Sequence, residues 1–368
     1  MKILSVIIGA PDKDSSLWFR IKKQAELLFS LGHEVELCFY SRQKLTFEPS
    51  FKYSVIRVSP LSVHLKHFLK ISKEKYDLVF CNLAPTAFIC SLSKIKGIPI
   101  LLDNHGDLIS EMDLLKPGLL RSIYYRIISS LSFSVSDVII CVSHLMIKDL
   151  MQRGIPRRKL HYVTNATDLN LFKPLDNQEI KNMKMNLGIV DKLTFGYIGA
   201  DDRWQGIDNL IKTTKFLNDN NVFFLYVGFP KNKRRYHNAL FLPKVEFNKV
   251  KYYYGACDVL VLPRPSHKSA EVAAPTKFAE YVAMGKPILT TDVGDAAEFV
   301  RKYKCGIVVE DNQPENLLRG INEFKSLSKD DLMKMGNNSR KMAEKEFSLK
   351  KMREDLEKVL NSFNNLNE

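Results

Sequence analysis

Short apolar runs alternate with longer amphipathic stretches along most of the chain. The short runs fit buried strands, and the longer stretches repeat their apolar residues with the period of a helix. This alternation is typical of parallel sheets whose strands are joined by crossover helices. The predicted strands lie near residues 2–8, 34–40, 53–58, 77–82, 98–103, 138–142 and 160–164, and then near 193–199, 222–228, 258–262, 287–291 and 305–309.

The predicted helices fall between these strands and form two groups. The chain has 368 residues, of which 45% are hydrophobic, so two α/β domains could each bury a core. The polar stretch from Asn165 to Asn186 separates the groups and is interpreted as a linker. The helices lie near residues 16–31, 60–74, 85–95, 118–134 and 144–153, and then near 205–218, 247–256, 275–284, 295–303, 314–326, 329–346 and 349–363.

One helix start has the features of an anion-binding site. Pro275 opens a helix that a Gly-Lys-Pro sequence closes. The first turn of a helix leaves its N–H groups without intrahelical partners, so amides near Thr276 and Lys277 can point at a phosphate, and Lys277 adds a cation. Glu280 lies one turn further along the same face. The alternative is an ordinary helix on which Lys277 and Glu280 are solvated.

The segment from Pro275 to Pro287 resembles the donor-site segment of the GT-B glycosyltransferases, in particular the large retaining family four of group 1. Other stretches match that family in the same order along the chain. They are an interdomain segment at 165–174, a phosphate-binding strand, loop and helix start at 195–211, a strand at 256–263, and shorter similarities at 31–35, 141–143 and 292–294 with Glu298.

The resemblance implies an α/β fold of the GT-B type, in which two Rossmann-like, doubly wound domains face a central cleft. It implies an acceptor-side domain at residues 1–170 and a nucleotide-sugar donor domain at residues 171–347. It also implies that the last helix, within residues 348–368, packs back on the first domain.

The family's phosphate-binding loop is altered in this chain. The Arg and Lys that contact the diphosphate in the family align with Ala200 and Gln205. Arg203 lies in the same loop and is expected to supply the guanidinium instead, the alternative being a surface charge. Gly199 and Gly206 would let the backbone approach the phosphates and begin the helix. Gln205 stays among the expected donor contacts.

The family's two glutamates are matched only in part. Glu280 occupies the later position, which the resemblance assigns to the ribose hydroxyls of the donor. Val272 stands eight residues before Glu280, and Glu271 is one residue further out, so the earlier glutamate is either shifted or missing. Glu271 is the candidate for the role beside the sugar. Lys277 is expected to share the charge at the sugar-phosphate oxygens. Arg264 is either a further phosphate or sugar contact or a surface charge.

A polar loop follows a buried strand in the first half of the chain, and the carboxyl end of a parallel strand is where α/β sites form. Within it, His105 resembles the family's histidine that faces the transferred sugar, the alternative being a structural histidine. Asp12 and Asp14 have the Asp-x-Asp spacing of metal-dependent transferases with another fold. We discount them because they directly follow the first strand and the GT-B layout needs no bound metal. No metal or cofactor is expected.

The resemblance implies transfer of a sugar from a nucleotide-diphosphate donor to an acceptor hydroxyl with the anomeric configuration retained, in polysaccharide or glycolipid assembly at the cell surface. The catalytic candidates are His105, Arg203, Lys277 and Glu271. Arg203, Lys277 and the helix amides would stabilise the charge on the leaving diphosphate. The alternative is a degenerate, non-catalytic GT-B partner of a glycan assembly complex, because several expected donor-site residues are replaced.

The formal net charge is +14, which favours phosphates, nucleic acids or anionic membranes as partners. No nucleic-acid recognition motif accompanies the charge, so nucleic acid is not expected. The stretch from Leu61 to Lys73 alternates apolar and basic residues, Lys66 and Lys70 among them. It is either a docking helix for an anionic membrane that carries a lipid-linked acceptor or a solvated helix face. Further basic residues that would add to such a surface are Arg121, Arg126, Arg153, Arg157, Arg158 and Lys159.

Two apolar segments and the cysteines indicate the compartment. The run from Ile3 to Ala10 stops too early for a signal-peptide core, and Arg121 and Arg126 make residues 118–135 a poor membrane span. Six widely spaced cysteines without a Cys-x-x-Cys motif indicate buried thiols in a reducing compartment. We expect a cytoplasmic protein, held on the inner face of the membrane if the docking interpretation is right.

Overall fold

The computed structural model describes residues 1–13, 15–59, 62–115, 118–200, 205–229 and 234–363, with the backbone alone described for 113–115. The chain forms two compact units. The first comprises Met1–Thr164 together with the chain from Arg353, and the second comprises Asn165–Met352. These boundaries lie a few residues from the expected ones near 170 and 347.

A parallel sheet forms the centre of the first unit. Its strands are β1 Lys2–Ile8, β2 Glu34–Ser41, β3 Tyr53–Arg57, β4 Leu78–Asn82, β5 Ile100–Asn104, β6 Val138–Cys141 and β7 Leu160–Tyr162. In the described part of the chain their order is β3-β2-β1-β4-β5-β6-β7. Ile3 of β1 is paired with Val35 on one side and Leu78 on the other. The order reverses between β1 and β4, as in doubly wound folds.

Helices connect these strands and cover the sheet. They are α1 Ser16–Ser30, α2 Val63–Lys73, α3 Ala84–Ile89, α4 Leu108–Leu115, α5 Leu119–Val135 and α6 His144–Gln152. Short 3₁₀ helices follow at Cys90–Lys96 and Arg157–Lys159. The last helix of the chain spans Leu349–Ser362, and its residues from Arg353 belong to this first unit.

The second unit repeats the same plan with its own sheet. Its strands are β8 Leu193–Ile198, β9 Val222–Val227, β10 Arg234–Tyr236, β11 Ala239–Leu242, β12 Val259–Leu262, β13 Ile288–Thr291 and β14 Gly306–Val309. Among the described residues they are ordered β10-β11-β9-β8-β12-β13-β14, and the pair β10 and β11 is antiparallel while the other pairs are parallel. The order reverses between β8 and β12, so a site is expected beyond their carboxyl ends.

The helices of the second unit surround its sheet. In chain order they are α7 Asn177–Leu187, α8 Ile207–Phe216, α9 Val250–Ala256, α10 Lys268–Val272, α11 Thr276–Ala283, α12 Gly294–Tyr303, α13 Pro314–Ser326 and α14 Lys329–Glu346, and the final helix Leu349–Ser362 is α15.

The central strands are continuous apolar runs because both faces of each sheet are covered. Every residue of β4 and β5 is buried. In the second unit, two apolar clusters form around the strands, one containing Phe223 and Tyr281 and the other containing Phe195 and Phe224. These strands were therefore visible in the sequence as uninterrupted hydrophobic segments.

The stretch that was interpreted as a linker contains a helix, and the interpretation is wrong for residues 177–187. Asp176 caps α7 by accepting a hydrogen bond from the backbone N–H of Glu179, and the Glu179 carboxylate accepts one from the N–H of Asp176. This reciprocal arrangement is a capping box, and its Asp-x-x-Glu signature is present in the sequence. The polar composition of the helix concealed it, since none of its residues is fully buried.

Three further features were missed in stretches that were treated as loops. They are helix α4 after β5, the β10 and β11 hairpin, and the short helix α10. None of them has the length or the alternation that identifies a helix or strand by periodicity alone. The remaining predicted elements are observed to within a few residues of their expected limits.

All six cysteines are buried and carry free thiols, as the sequence predicted. Among the helices in the ranges described above, none has both the length and the hydropathy needed to cross a bilayer.

The capping box at α7 gives a direct test of this helix. We expect Asp176→Ala to lower the free energy of unfolding of the second unit by about 1 kcal/mol, because an orphan amide of the first turn loses its acceptor. The matched control is Asn177→Ala, an exposed neighbour that should change it by less than about 0.5 kcal/mol. Equal urea midpoints for the two variants would contradict a structural role for the cap.

Candidate functional site

The helix start that the sequence singled out follows an extended segment in the second unit. Pro275 is the N-cap of α11, with φ −65° and ψ 124°, and Thr276 is the first helical residue. The helix buries Phe278 and Tyr281 on its inner face, which fixes its direction against the sheet. Its first turn therefore presents Thr276 and Lys277 beyond the carboxyl ends of the strands.

Lys277 is held by the end of strand β8. Its Nζ donates to the Tyr197 hydroxyl at 2.9 Å and to Gln205 Oε1 at 3.2 Å. The Tyr197 hydroxyl donates in turn to the carbonyl of Ala200 at 2.6 Å. The structure thus brings together Lys277 and Gln205, two expected donor contacts. Tyr197 was missed, and its place in an apolar strand gave no signal that could have distinguished it.

Two glycines make this arrangement possible. A Cβ at Gly199 would overlap Lys277 Nζ, so a larger residue there would displace the end of the lysine side chain. Gly206 has φ +72° and caps α8, and a Cβ there would overlap the carbonyl oxygen of Pro263. The predicted approach of their backbone to the phosphates of a donor stays a prediction. Arg203 lies outside the described residues, as does the rest of 201–204.

Glu280 lies one turn along α11 and is half-buried. Its Oε2 accepts a hydrogen bond from the Tyr254 hydroxyl at 2.5 Å. Burial raises the pKa of Glu280 to about 7, although the Tyr254 hydrogen bond and the charge of Lys277 both act to lower it. The carboxyl group therefore gains and loses its proton near neutral pH. Tyr254 was not predicted, because its contact with Glu280 joins segments far apart in the chain.

Arg264 follows strand β12 and is only 5% exposed, so the structure excludes a surface charge at this position. Its Nη2 donates to the carbonyl of Ala270 at 3.2 Å, while its Nε is buried without a hydrogen-bond partner. Burial lowers the pKa of Arg264 to about 10, and the nearby Tyr197 acts in the opposite direction. The side chain thus remains a cation at neutral pH.

No carboxylate among the described residues forms an ion pair with Arg264. A buried charge is costly unless a charged or strongly hydrogen-bonding group compensates it. The Tyr197 hydroxyl accepts a hydrogen bond from Lys277, and Tyr197 also acts to raise the pKa of Arg264. Two cations at the carboxyl edge of a doubly wound sheet are suited to an anionic ligand.

Glu271 is on the short helix α10 and is half-buried. Its backbone carbonyl closely approaches the start of α12, lying 3.0 Å from the position that a Cβ on Gly294 would occupy. The structure therefore places Glu271 beside a helix start, as part of the segment that also supplies the Arg264 acceptor, Ala270.

His105 belongs to the first unit and follows strand β5. Its Nδ1 lies 3.3 Å from Asp103 Oδ2, and its side chain is 16% exposed. Asp103 is fully buried and receives a bidentate pair from Arg20, with Nε to Oδ2 at 2.7 Å and Nη2 to Oδ1 at 2.6 Å. Burial acts to raise the pKa of Asp103, but the Arg20 guanidinium holds it well below the usual range. The buried ion pair fixes the strand end that carries His105.

Arg20 was missed because it is one of several basic residues on an ordinary amphipathic helix, and only the fold brings it to Asp103. Arg153, which was expected to add to a basic surface, instead binds Asp107 through Nη1 at 3.1 Å and Nη2 at 2.9 Å. It also pairs with Asp149 at 2.7 Å. Arg153 is therefore a structural cation of this loop.

Two family models match the chain, one over most of the first unit and the other over most of the second. The model described as Glycosyltransferase Family 4 matches residues 20–171, and the model described as Glycosyl transferases group 1 matches residues 179–342. An uncharacterised glycosyltransferase of Methanocaldococcus jannaschii is 25% identical over 362 residues, which cover 89% of each chain. The alpha-galactosylglucosyldiacylglycerol synthase of Streptococcus pneumoniae is 24% identical over 191 residues, covering 48% of this chain and 49% of the other.

The fold is also that of solved glycosyltransferase structures. HepE of Anabaena in complex with UDP aligns with a TM-score of 0.79 and 16% identity, covering 98% of this chain and 100% of that one. The same protein in complex with UDP-glucose gives a TM-score of 0.78. The chain therefore belongs to the group 1 glycosyltransferases with the GT-B fold.

The Arg20 and Asp103 pair predicts a strong double-mutant effect. Arg20→Met should lower the free energy of unfolding by about 3–5 kcal/mol, because it leaves a buried carboxylate without its counter-ion. The double variant Arg20→Met with Asp103→Asn should recover most of that loss, since no charge then remains buried. Urea unfolding of the two single variants and the double variant measures the coupling, and additive losses would contradict a compensated buried pair.

The raised pKa of Glu280 predicts a pH-dependent stability. The folded protein holds the proton up to about pH 7, whereas the unfolded carboxyl loses it near pH 4.5, so this group opposes folding increasingly as the pH rises through that window. Relative to the parent chain, Glu280→Gln should be more stable by roughly 1–3 kcal/mol at pH 8 and equally stable below about pH 4. Thermal unfolding of the parent chain and of Glu280→Gln across this pH range tests the sign of the stability difference. The exposed Glu323→Gln is the control.

Proposed function

We propose that this glycosyltransferase moves a hexosyl-type sugar from a nucleotide-diphosphate donor to an acceptor hydroxyl and retains the anomeric configuration. The observation that carries the donor assignment is the buried Arg264, a cation that none of the described carboxylates pairs with, next to the Lys277 and Tyr197 contact. A diphosphate supplies the negative charge that this group of side chains requires.

The donor's diphosphate is proposed to lie at the start of α11, against Thr276, Lys277 and Arg264. Gly199 and Gly206 keep the neighbouring backbone close to it, and Gln205 orients Lys277. Glu280 then receives the ribose hydroxyls, as the family resemblance implies. The complexes of HepE with UDP and UDP-glucose support a nucleotide-sugar donor for a chain with this fold.

In the reaction, the bond between the sugar's anomeric carbon and the diphosphate breaks while the acceptor oxygen bonds to that carbon. The acceptor proton passes to a phosphate oxygen of the leaving group, so no protein nucleophile is required. Lys277, Arg264 and the first amides of α11 stabilise the charge that develops on the diphosphate. Arg203 is proposed to join them, with Glu271 and His105 acting near the transferred sugar. These cations make the transfer independent of a bound metal.

We propose a glycan or a lipid-linked sugar as the acceptor, in the assembly of a surface polysaccharide or glycolipid on the cytoplasmic side of the membrane. The similarity to the Streptococcus pneumoniae diacylglycerol-glycoside synthase supports a lipid-linked acceptor. The alternative is a non-catalytic GT-B partner protein. It is favoured by Gln205, which stands in place of the family's phosphate-binding lysine and already engages Lys277.

A thermal-shift screen of the full chain against UDP, GDP, ADP, TDP and CMP, with and without EDTA, tests the donor site. We expect one nucleoside diphosphate to raise the Tm in an EDTA-independent manner. Lys277→Ala and Arg264→Met should each weaken its binding at least about tenfold, while Arg264→Met leaves the unliganded protein equally or more stable because a buried charge is removed.

The matched control is Arg301→Met, which removes an exposed arginine on α12 that pairs with Asp292. It should leave the nucleotide-induced shift unchanged. A Tm that responds to none of the nucleotides would contradict the donor site, and donor binding without hydrolysis or transfer to any acceptor would favour the non-catalytic partner.

A further inference from the structure

Tyr254 is a buried phenol whose orientation is fixed by the rings around it. It lies on α9 and is 2% exposed. Its ring centre lies 5.0 Å from that of Tyr281, in an edge-to-face contact, and 5.9 Å from that of Phe172. A buried tyrosine hydroxyl needs a hydrogen-bond acceptor. Within the described ranges that acceptor is Glu280 Oε2, at 2.5 Å, so the ring packing directs the hydroxyl at one oxygen of the carboxylate.

This contact makes the two oxygens of the Glu280 carboxylate unequal. Tyr254 engages Oε2, whereas the structure gives Oε1 no hydrogen-bond partner within the described residues. Glu280 follows Lys277 by three positions, so both side chains project from the same side of α11. One helical turn is about 5.4 Å long. A nucleotide whose phosphates lie at the start of α11 can therefore bring the hydroxyls of its ribose to Oε1.

Glu280 is the group of this cluster whose charge changes near neutral pH. Burial raises its pKa to about 7, while the Tyr254 hydrogen bond and the charge of Lys277 act to lower that pKa. Burial raises the pKa of the nearby Cys257 thiol to about 12 and holds the pKa of Tyr281 well above its usual range, so both stay neutral up to about pH 9. Removing the Tyr254 hydroxyl would therefore raise the pKa of Glu280 further.

We propose that Tyr254 is a positioning residue for the donor, whose hydroxyl fixes Oε2 of the Glu280 carboxylate so that Oε1 accepts a hydrogen bond from a ribose hydroxyl. A hydroxyl donates more strongly to a carboxylate than to a neutral carboxylic acid, because charge strengthens the hydrogen bond. The nucleotide therefore binds more tightly as the pH rises through the pKa of Glu280. The inference rests on the proposed function, which places the ribose at Glu280.

Titration calorimetry of the full chain with UDP, from about pH 5.5 to about pH 9, tests the proposal, with GDP and ADP as further probes. Tyr254→Phe should move the midpoint of the affinity profile upward by about one pH unit, because the lost hydrogen bond favours the ionised carboxylate. This shift corresponds to about fivefold weaker binding at pH 7 and to binding within about twofold of the parent chain at pH 9.

Three controls isolate the contact between Tyr254 and the ribose. Tyr303→Phe removes a phenol at the end of α12 that also donates to a glutamate, Glu346, and it should leave the profile unchanged. Glu280→Gln reports the pH dependence of the ligand alone, since the terminal phosphate titrates in the same range. The 2′,3′-dideoxy form of the same nucleotide has no ribose hydroxyls, so Tyr254→Phe should not shift its profile. Thermal unfolding establishes that each variant is folded.

An unchanged midpoint in Tyr254→Phe would overturn the proposal, as would an equal loss of affinity at every pH, which a role in packing alone would produce. An equal shift with the dideoxy nucleotide would also overturn it, because Oε1 would then not face the ribose. If the parent chain binds none of UDP, GDP and ADP, the proposed function fails together with this inference. If the parent chain binds one of them and the Tyr254→Phe profile is unshifted, only the role of Tyr254 is lost.

Discussion

A guanidinium removed from water must be compensated, and this constraint organises the functional end of each sheet. In the first unit, Arg20 meets the carboxylate of Asp103 in a bidentate pair that burial makes obligatory. In the second unit, Arg264 is similarly buried, and within the described residues its hydrogen-bond acceptor is the backbone carbonyl of Ala270. The first cation is therefore structural, and the second is the one proposed to bind the donor.

The second site depends on how closely its segments approach one another. Tyr197 connects the carbonyl of Ala200 to Lys277, and the absence of a side chain at Gly199 admits the lysine. The same helix carries Glu280, whose carboxyl is held by Tyr254. A helix start, two cations and a carboxyl group whose pKa is about 7 thus share one edge of the sheet. That combination suits a ligand with both a diphosphate and hydroxyl groups.

Much of the fold could be predicted, because buried parallel strands are continuous apolar runs and crossover helices repeat at 3.6 residues. The polar helix α7 could not be found in this way because none of its residues is fully buried. The β10 and β11 hairpin was missed because its strands are only three and four residues long. The sequence predicted which residue types the proposed donor segment contains, but it did not predict which of their side chains contact one another. Arg264 seemed as compatible with the surface as with a site, and its burial is decided by segments distant in sequence. Arg203 remains a prediction.

The sequence by itself determined the two α/β units, the helix start at Pro275 and the family of the chain, because local periodicity, capping and short motifs encode these features. Only the tertiary structure decided which charged side chains are paired with carboxylates. Lys70 and Arg153 are neutralised by carboxylates from other elements, whereas no carboxylate in the described part of the chain pairs with the buried Arg264. The apolar residues of α5 likewise have the helical spacing of a core face, but several of them are exposed in the folded unit. Pairing and burial depend on contacts between distant segments, which no local pattern records.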